Sequence, residues 1–353
     1  MKRGAALTFK RRYDTIVLLT EGVFNSATAV SEGVILMKRI SVIVPCYNEA
    51  EVLEIFYNEI SKVSAQMSEY DFQFIFVDDG SKDRTLEIMK GIASRDKRAV
   101  FVALSRNFGK ESAMLAGLSN ADGDYIAIMD ADMQDPPDLL PQMARTLEEE
   151  DCDCVATRRV DRAGEPLIES FFARLFYKII NKISDADIAD GARDYRLMKR
   201  EMADAILSMN EYNRFSKGIF GWVGFKTKWL PFENRERAAG ETKWNFWKLL
   251  KYSIDGIINF SQVPLSISSW CGLGFTLIAF VMLLFVFIRR LAFGDAVSGW
   301  ASLVCIILFI GGIQLFCMGI IGQYLSKNYM ESKKRPHYII RETNKENNIK
   351  KIG

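Results

Sequence analysis

Tyr125-Ile126-Ala127-Ile128-Met129-Asp130-Ala131-Asp132-Met133-Gln134 runs from an unbroken apolar stretch straight into two carboxylates and an amide. A half-solvated strand would alternate apolar with polar residues, so the first five read as a strand buried on both faces. Working outward, Ile40–Val44, Phe72–Val77, Ala99–Ala103 and Cys154–Ala156 carry the same signal. Between these strands the period lengthens, and Glu49–Met67, Thr85–Ser94, Glu111–Leu118 and Leu139–Glu149 read as helices. Such alternation predicts an α/β fold, a mainly parallel sheet with helices on both faces.

In sheets of this kind ligands bind beyond the carboxyl ends of the strands. The unusual residues fall there: Pro45-Cys46-Tyr47-Asn48-Glu49, Asp78-Asp79-Gly80-Ser81, Ser105-Arg106-Asn107-Phe108-Gly109-Lys110 and Asp130-Ala131-Asp132. Taken alone, Asp78–Ser81 is ordinary turn chemistry. Asp130 and Asp132 are different, because alternate residues of a strand face opposite sides and the chain must turn for both to meet one ligand. Pro136-Pro137 enforces irregular backbone just downstream. Two carboxylates at a buried strand end would repel and stay partly protonated unless they share a cation. A solvated acidic loop is the plainer alternative.

The chain has 353 residues and a formal charge of +2, which marks neither a nucleic-acid binder nor an acidic tail protein. Its one histidine, His337, lies beyond the last long apolar run, so the part preceding the apolar runs has none for a Ser-His-Asp triad, a Cys-His pair or a His-ligated zinc. A metal there would rest on oxygen ligands, which suit Mg²⁺ or Mn²⁺. Cys152 and Cys154, one residue apart with no second pair nearby, read as a buried strand rather than a metal clip.

Ile257–Ile288 and Ala301–Leu325 contain no Asp, Glu, Lys or Arg, and each exceeds the roughly 20 residues that cross a bilayer. They predict a transmembrane hairpin. Lys243, Lys248 and Lys251 before it and Lys327, Lys333, Lys334 and Arg335 after it place both flanks in the cytoplasm; Arg289 and Arg290 on the short loop argue mildly against this. Trp244–Lys251, rich in tryptophan and lysine, reads as an amphipathic helix in the headgroup plane, with a buried core helix as the alternative. The expected organisation is an N-terminal extension, poorly ordered, over 1–36; a catalytic domain over 37–240; a juxtamembrane helix over 241–262; two transmembrane helices over 263–326; and a cytoplasmic tail over 327–353. Met37 reads as a natural start just before the first strand.

The ordered set PCYNE, VDDGS, LSRNFGK and DADMQDPP resembles the family 2 glycosyltransferases of GT-A fold. The further run GARDYRLMKRE, NRFSKGIFGWVG and RERAAGETKWNFWKL, followed by the hairpin, is similar to polyprenyl-phosphate glycosyltransferases, especially bactoprenol glucosyltransferases of the GtrB type. The resemblance spans about residues 38–340. It implies an inverting transfer of a hexose, glucose first, from a UDP-sugar to undecaprenyl phosphate at the cytoplasmic face of a bacterial inner membrane. It also implies a multi-pass protein, a homotetramer, and a bound Mg²⁺ or Mn²⁺.

Carried over position by position, the resemblance puts Pro45, Tyr47 and Glu49 at the nucleotide base, and Val77, Asp78 and Asp79 at base and ribose. Asp130 faces the nucleotide, and Asp132 and Gln134 hold the metal that bridges the diphosphate. Arg106 and Lys110 are either helpers at the same phosphates or plain surface cations. A lipid phosphate is already anionic and needs no strong base, only cations to orient it. Candidates are Arg158, Arg159, Arg174, Arg237 and Lys243, with Thr242 alongside. Asp194 matches the position where relatives with hydroxyl acceptors keep a base; here it is expected to orient or balance charge. The alternative makes it a cap for a helix over Met198–Leu207.

Mannosyl or N-acetylglucosaminyl transfer to dolichyl or polyprenyl phosphate is the nearest alternative. A processive polysaccharide synthase fits less well, since neither a Gln-x-x-Arg-Trp motif nor further membrane helices are present. A non-catalytic scaffold or small transporter leaves the acidic motifs unexplained.

Overall fold

The computed structural model describes residues 37–159, 191–232, 258, 261, 263–293 and 300–345. The expected extension over 1–36 and nearly all of the juxtamembrane segment over 241–262 lie outside the described residues. The chain builds β1 (Lys38–Cys46), α1 (Leu53–Gln66), β2 (Tyr70–Asp78), α2 (Thr85–Arg95), β3 (Ala99–Leu104), α3 (Lys110–Asn120), β4 (Tyr125–Ile128), α4 (Leu140–Glu149) and β5 (Cys154–Arg159). There follow β6 (Ala192–Lys199), α5 (Arg200–Ser208), α6 (Ser216–Trp222), β7 (Thr227–Phe232), α7 (Val263–Phe293), α8 (Trp300–Ser332) and β8 (Ile340–Thr343).

The eight strands form one sheet in the order β7-β5-β6-β4-β1-β2-β3-β8. Pairing is parallel between β1 and β4, β2 and β3, and β5 and β7, whereas β6 and β8 run against their neighbours. Side chains of successive residues leave on opposite faces. Val42, Val44, Phe74 and Phe76 therefore pack with Phe56 and Ile60 of α1, Met89 of α2 and Met143 of α4, while Ile43, Ile75 and Val77 pack with Met114 and Leu118 of α3, Met202 of α5 and Phe220 of α6. Both faces are covered, which is why the strands read as continuous apolar runs. Helix α3 comes so close to β1 that a Cβ on Gly117 would meet Ile43 Cγ2 at 2.2 Å.

Two elements depart from the sequence reading. Asp194 caps no helix: Ala192–Lys199 is a strand wedged between β4 and β5, and the helix begins only at Arg200. Nor is the segment after the second long helix simply a tail, since Ile340–Thr343 pairs antiparallel with β3 and completes the sheet edge. Around it, Asn344 Nδ2 donates to Ala99 O (3.0 Å) and Lys345 Nζ reaches Asp122 (2.8 Å). Strand edges seek backbone partners, and Ile340-Arg341-Glu342-Thr343, largely exposed and with one aliphatic residue, carries no apolar signal that would mark it as a strand.

Helices α7 and α8 are long and apolar enough to cross a bilayer, and Val263–Met282 and Phe309–Ser332 are unburied within the fold. Phe275 meets Phe309 edge to face, Cys317 lies against Ser268 O, and Tyr324 Oη donates to Ser261 O. Rising numbers on one helix meet falling numbers on the other, so the pair is an antiparallel hairpin.

Candidate active site

The carboxyl ends of β1, β2 and β4 share one rim of the sheet, and the antiparallel β6 begins at that same rim. Its register with β4 pairs Tyr125 with Lys199 and Ile128 with Arg196. Continued by two residues that register sets Asp194 opposite Asp130, and by three it sets Arg193 opposite Ala131.

Lys110, the first residue of α3, joins the two acids. Its Nζ lies 2.7 and 2.8 Å from the oxygens of Asp130 and 2.5 Å from Asp194 Oδ2. The lysine is 43% accessible and the acids 25% and 17%, so the cluster lines an open cleft rather than a sealed core. Desolvation in the cleft opposes the ammonium, but Asp130 and then Asp194 outweigh it and raise the lysine's pKa well above its ordinary value. Burial likewise pushes the Asp194 carboxyl up; Lys110, with help from Lys217 and Arg196, overcomes this and holds it below the usual carboxylate range. Asp194 is thus kept as an anion.

After β4 the chain turns at Met133, which adopts φ 62°, and Gln134 N–H donates to Asp132 Oδ1 (3.1 Å). This turn separates Asp130, on the lysine, from Asp132 and Gln134, on the next stretch of loop. Arg193 was missed by sequence reasoning. Its Nη2 donates to Gln134 Oε1 and its Nε to Asp135 Oδ1, both at 3.2 Å. Asp135 is fully buried with Oδ2 lacking a protein partner, and burial with the nearby Asp130 raises its pKa to about 7 against the pull of Arg193. Only the run of charges around Arg193-Asp194 could have signalled this pairing.

No group of three or more His, Cys, Asp or Glu side chains able to hold a metal ion occurs among the described residues. Magnesium-like ions often take one or two protein oxygens and complete their shell with substrate phosphates and water. Asp132 and Gln134, a carboxylate and an amide oxygen on one turn, suit that mode by donor type, although Gln134 Oε1 here accepts from Arg193 Nη2 and would have to share or leave that bond to reach an ion.

Of the residues expected at the nucleotide, Pro45 and Val77 are buried and Tyr47 and Glu49 half-buried. Loop is tied to loop: Asn48 N–H donates to Ser81 Oγ (3.0 Å), Lys82 N–H to Asn48 Oδ1 (2.8 Å), and Glu49 N–H to Thr85 Oγ1 (2.9 Å). Asp78 is fully buried, with Oδ1 on Ser81 N–H (3.0 Å) and Oδ2 without a protein partner. Asp79 accepts from Phe108 N–H (2.7 Å) and Gly109 N–H (2.9 Å). Desolvation raises its pKa in spite of those two amides. Its geometry is that of a brace for the 105–109 loop. Arg106 is exposed and lies over the Phe108 ring at 4.2 Å.

Of the acceptor-side candidates, Arg158 is exposed on β5 and pairs in register with Ala192, beside Arg193 and Asp194. Arg159 is the last residue of β5. Arg174, Arg237, Thr242 and Lys243 lie outside the described residues.

Residues 41–207 match the family model described as glycosyl transferase family 2. The chain is 40% identical over 307 residues to the prophage bactoprenol glucosyl transferase homolog of Escherichia coli (strain K12), covering 87% of this chain and 100% of that protein. It is 39% identical over 303 residues to the bactoprenol glucosyl transferase of Shigella phage SfV (86% and 98%), and 38% over 309 residues to the SfII prophage-derived bactoprenol glucosyl transferase of Shigella flexneri (88% and 99%). Among solved structures, a glucosyl-3-phosphoglycerate synthase from Mycobacterium tuberculosis aligns with TM-score 0.44 at 19% identity, over 63% of this chain and 78% of that chain, too distant to carry weight.

Proposed function

This chain belongs to glycosyl transferase family 2, and from that premise we propose that it moves glucose from a UDP-sugar to a polyprenyl phosphate at the cytoplasmic membrane face. What carries the reading is that relatives named bactoprenol glucosyl transferases align over 98% and 100% of their own length. A rim of acids at the sheet's carboxyl edge and a helical hairpin of bilayer length in the same chain agree with it.

In the proposed reaction an oxygen of the lipid phosphate forms a bond to the anomeric carbon. The bond from that carbon to the diphosphate oxygen breaks, and the nucleoside diphosphate leaves with the electron pair. A single displacement of this kind inverts the anomeric centre. No proton need leave the nucleophile, which accords with a histidine-free cleft and with an Asp194 held as an anion. Tyr47, Glu49, Asp78 and the loop braced by Asp79 receive the nucleotide. Asp130 faces it across Lys110. A divalent ion, Mg²⁺ or Mn²⁺, would be held by Asp132 and Gln134 and would neutralise the leaving diphosphate. Arg158, Arg159, Arg174, Arg237 and Lys243, with Thr242 alongside, are the candidates for holding the acceptor phosphate, a task that suits arginine's paired donors.

The test uses the purified full-length chain with undecaprenyl phosphate and a panel of radiolabelled nucleotide-sugars. Organic-extractable label should appear with UDP-glucose and fall by about 10²–10³-fold in Asp132→Ala, the scale of losing a charge stabiliser of the transition state. Absence of lipid-linked label with every donor would overturn the function. Undiminished transfer by Asp132→Ala would overturn the metal assignment.

A further inference from the structure

Lys110 is the one described cation bonded at once to a carboxylate after β4 and a carboxylate on β6. The β4 acid belongs to the side that receives the donor; the β6 acid stands beside Arg158 and Arg193, on the acceptor side. Its place at the first turn of α3 is fixed from behind. Gly109, at φ 98°, turns the chain into the helix, and its N–H is held by Asp79. The next residue, Glu111, accepts from Ser216 N–H at 3.1 Å and from Ser216 Oγ, tying α3 to the start of α6. The lysine stem therefore enters the cleft from an anchored helix end.

We propose that Lys110 is a positioning residue shared by the two halves of the site: by binding Asp130 and Asp194 together it sets their separation, so that Asp194 acts on the acceptor side through orientation and charge. This rests on the transferase reading above. A lysine that merely touched a donor phosphate would need no bond to Asp194. Two carboxylates set opposite each other without a cation between them would repel and drift apart. The groups facing Asp194 are Lys110 and Glu111 from α3, Asp130 from the loop after β4, Lys217 from α6, and Arg196 of its own strand. Lys110 is the hydrogen-bonded one, so its loss dominates any change at Asp194.

The experiment compares Lys110→Met, Lys110→Arg, Asp194→Asn and the Lys110→Met/Asp194→Asn double variant with the wild-type full chain. Lys110→Met should lower kcat about 10- to 100-fold with a smaller change in donor KM, as expected for lost positioning. The acid limb that Asp194 sets in kcat against pH should move up, because burial then acts on its carboxyl without the cation that held it down. Lys110→Arg should restore most of the rate and the limb. Melting temperatures of the wild type, Lys110→Met, Asp194→Asn and the double variant, which need no substrate, should be non-additive. Additive melting shifts, an unmoved acid limb, or a defect confined to donor KM would each overturn the proposal. Wild-type transfer separates the two levels: if the wild type makes no lipid-linked sugar while the melting cycle is non-additive, the function fails and the ion-pair assignment stands.

Discussion

At the scale of single residues, Gly80 shows how tightly the proposed nucleotide rim is built. It sits at φ 68°, and a Cβ there would lie 2.5 Å from Arg106 C and 2.6 Å from Asn107 N, both backbone atoms that cannot step aside. Gly80→Ala should therefore cost about 1–3 kcal/mol, read as a lower melting temperature, and should weaken UDP binding because it displaces the loop that Asp79 braces. Unchanged melting and affinity would show that the loop has slack. Asp130, Asp132 and Asp79 were legible as candidates because turn-and-acid motifs at strand ends need no long-range knowledge. Arg193 was not legible: its partners Gln134 and Asp135 lie far away in sequence, and only the β4–β6 register brings them together.

At the scale of elements, the strands with continuous apolar runs were readable, and β6 was not. Its sequence Ala192-Arg193-Asp194-Tyr195-Arg196-Leu197 carries three charges in six residues, and Arg196 is buried with its guanidinium 3.4 Å from the centre of the Phe220 ring. A buried arginine satisfied by backbone carbonyls and an aromatic face looks, in sequence, like a loop. The joint between α3 and α6 makes a prediction about pH. Burial raises the Glu111 carboxyl above the ordinary glutamate value, and the Ser216 bonds only partly offset it. The folded state then binds more protons than the unfolded state between those two values, so this group's contribution to stability falls as pH rises through that window. Glu111→Gln should flatten the slope of melting temperature against pH there; an unaltered slope would refute the assignment. The edge strand gives another. Thr343 lies opposite Val102, and its hydroxyl donates to Phe101 O at 2.7 Å. Thr343→Val removes that hydroxyl bond while keeping the side chain's shape and should destabilise the protein by about 0.5–1.5 kcal/mol in thermal unfolding; an unchanged transition would show that the bond adds nothing to the edge.

At the scale of the whole molecule, the hairpin and the sheet constrain each other. If α7 and α8 both cross the bilayer, β8 can pair with β3 only when the chain has come back to the side it left. The charge count in the sequence supported one shared side for the flanks, and the β3–β8 ladder supplies a geometric reason that composition could not. In sealed cells an impermeant thiol reagent should label Ser298→Cys, in the segment between the helices, and should reach Lys334→Cys only after permeabilisation. The reverse pattern would place the acidic cleft on the outer face.

The β3–β8 ladder also orders events during biosynthesis. Strand β3 is finished at Leu104, but its partner is not made until the ribosome has passed both long helices and reached Ile340–Thr343. At ordinary translation speeds that interval is roughly 10–50 s, during which an apolar strand has an open edge. Such edges recruit other strands. The protein thus has a built-in dependence on timely completion of its C-terminal part: a chain stalled before its second long helix emerges would carry a largely complete but unsealed sheet, suited to capture by chaperones or to aggregation.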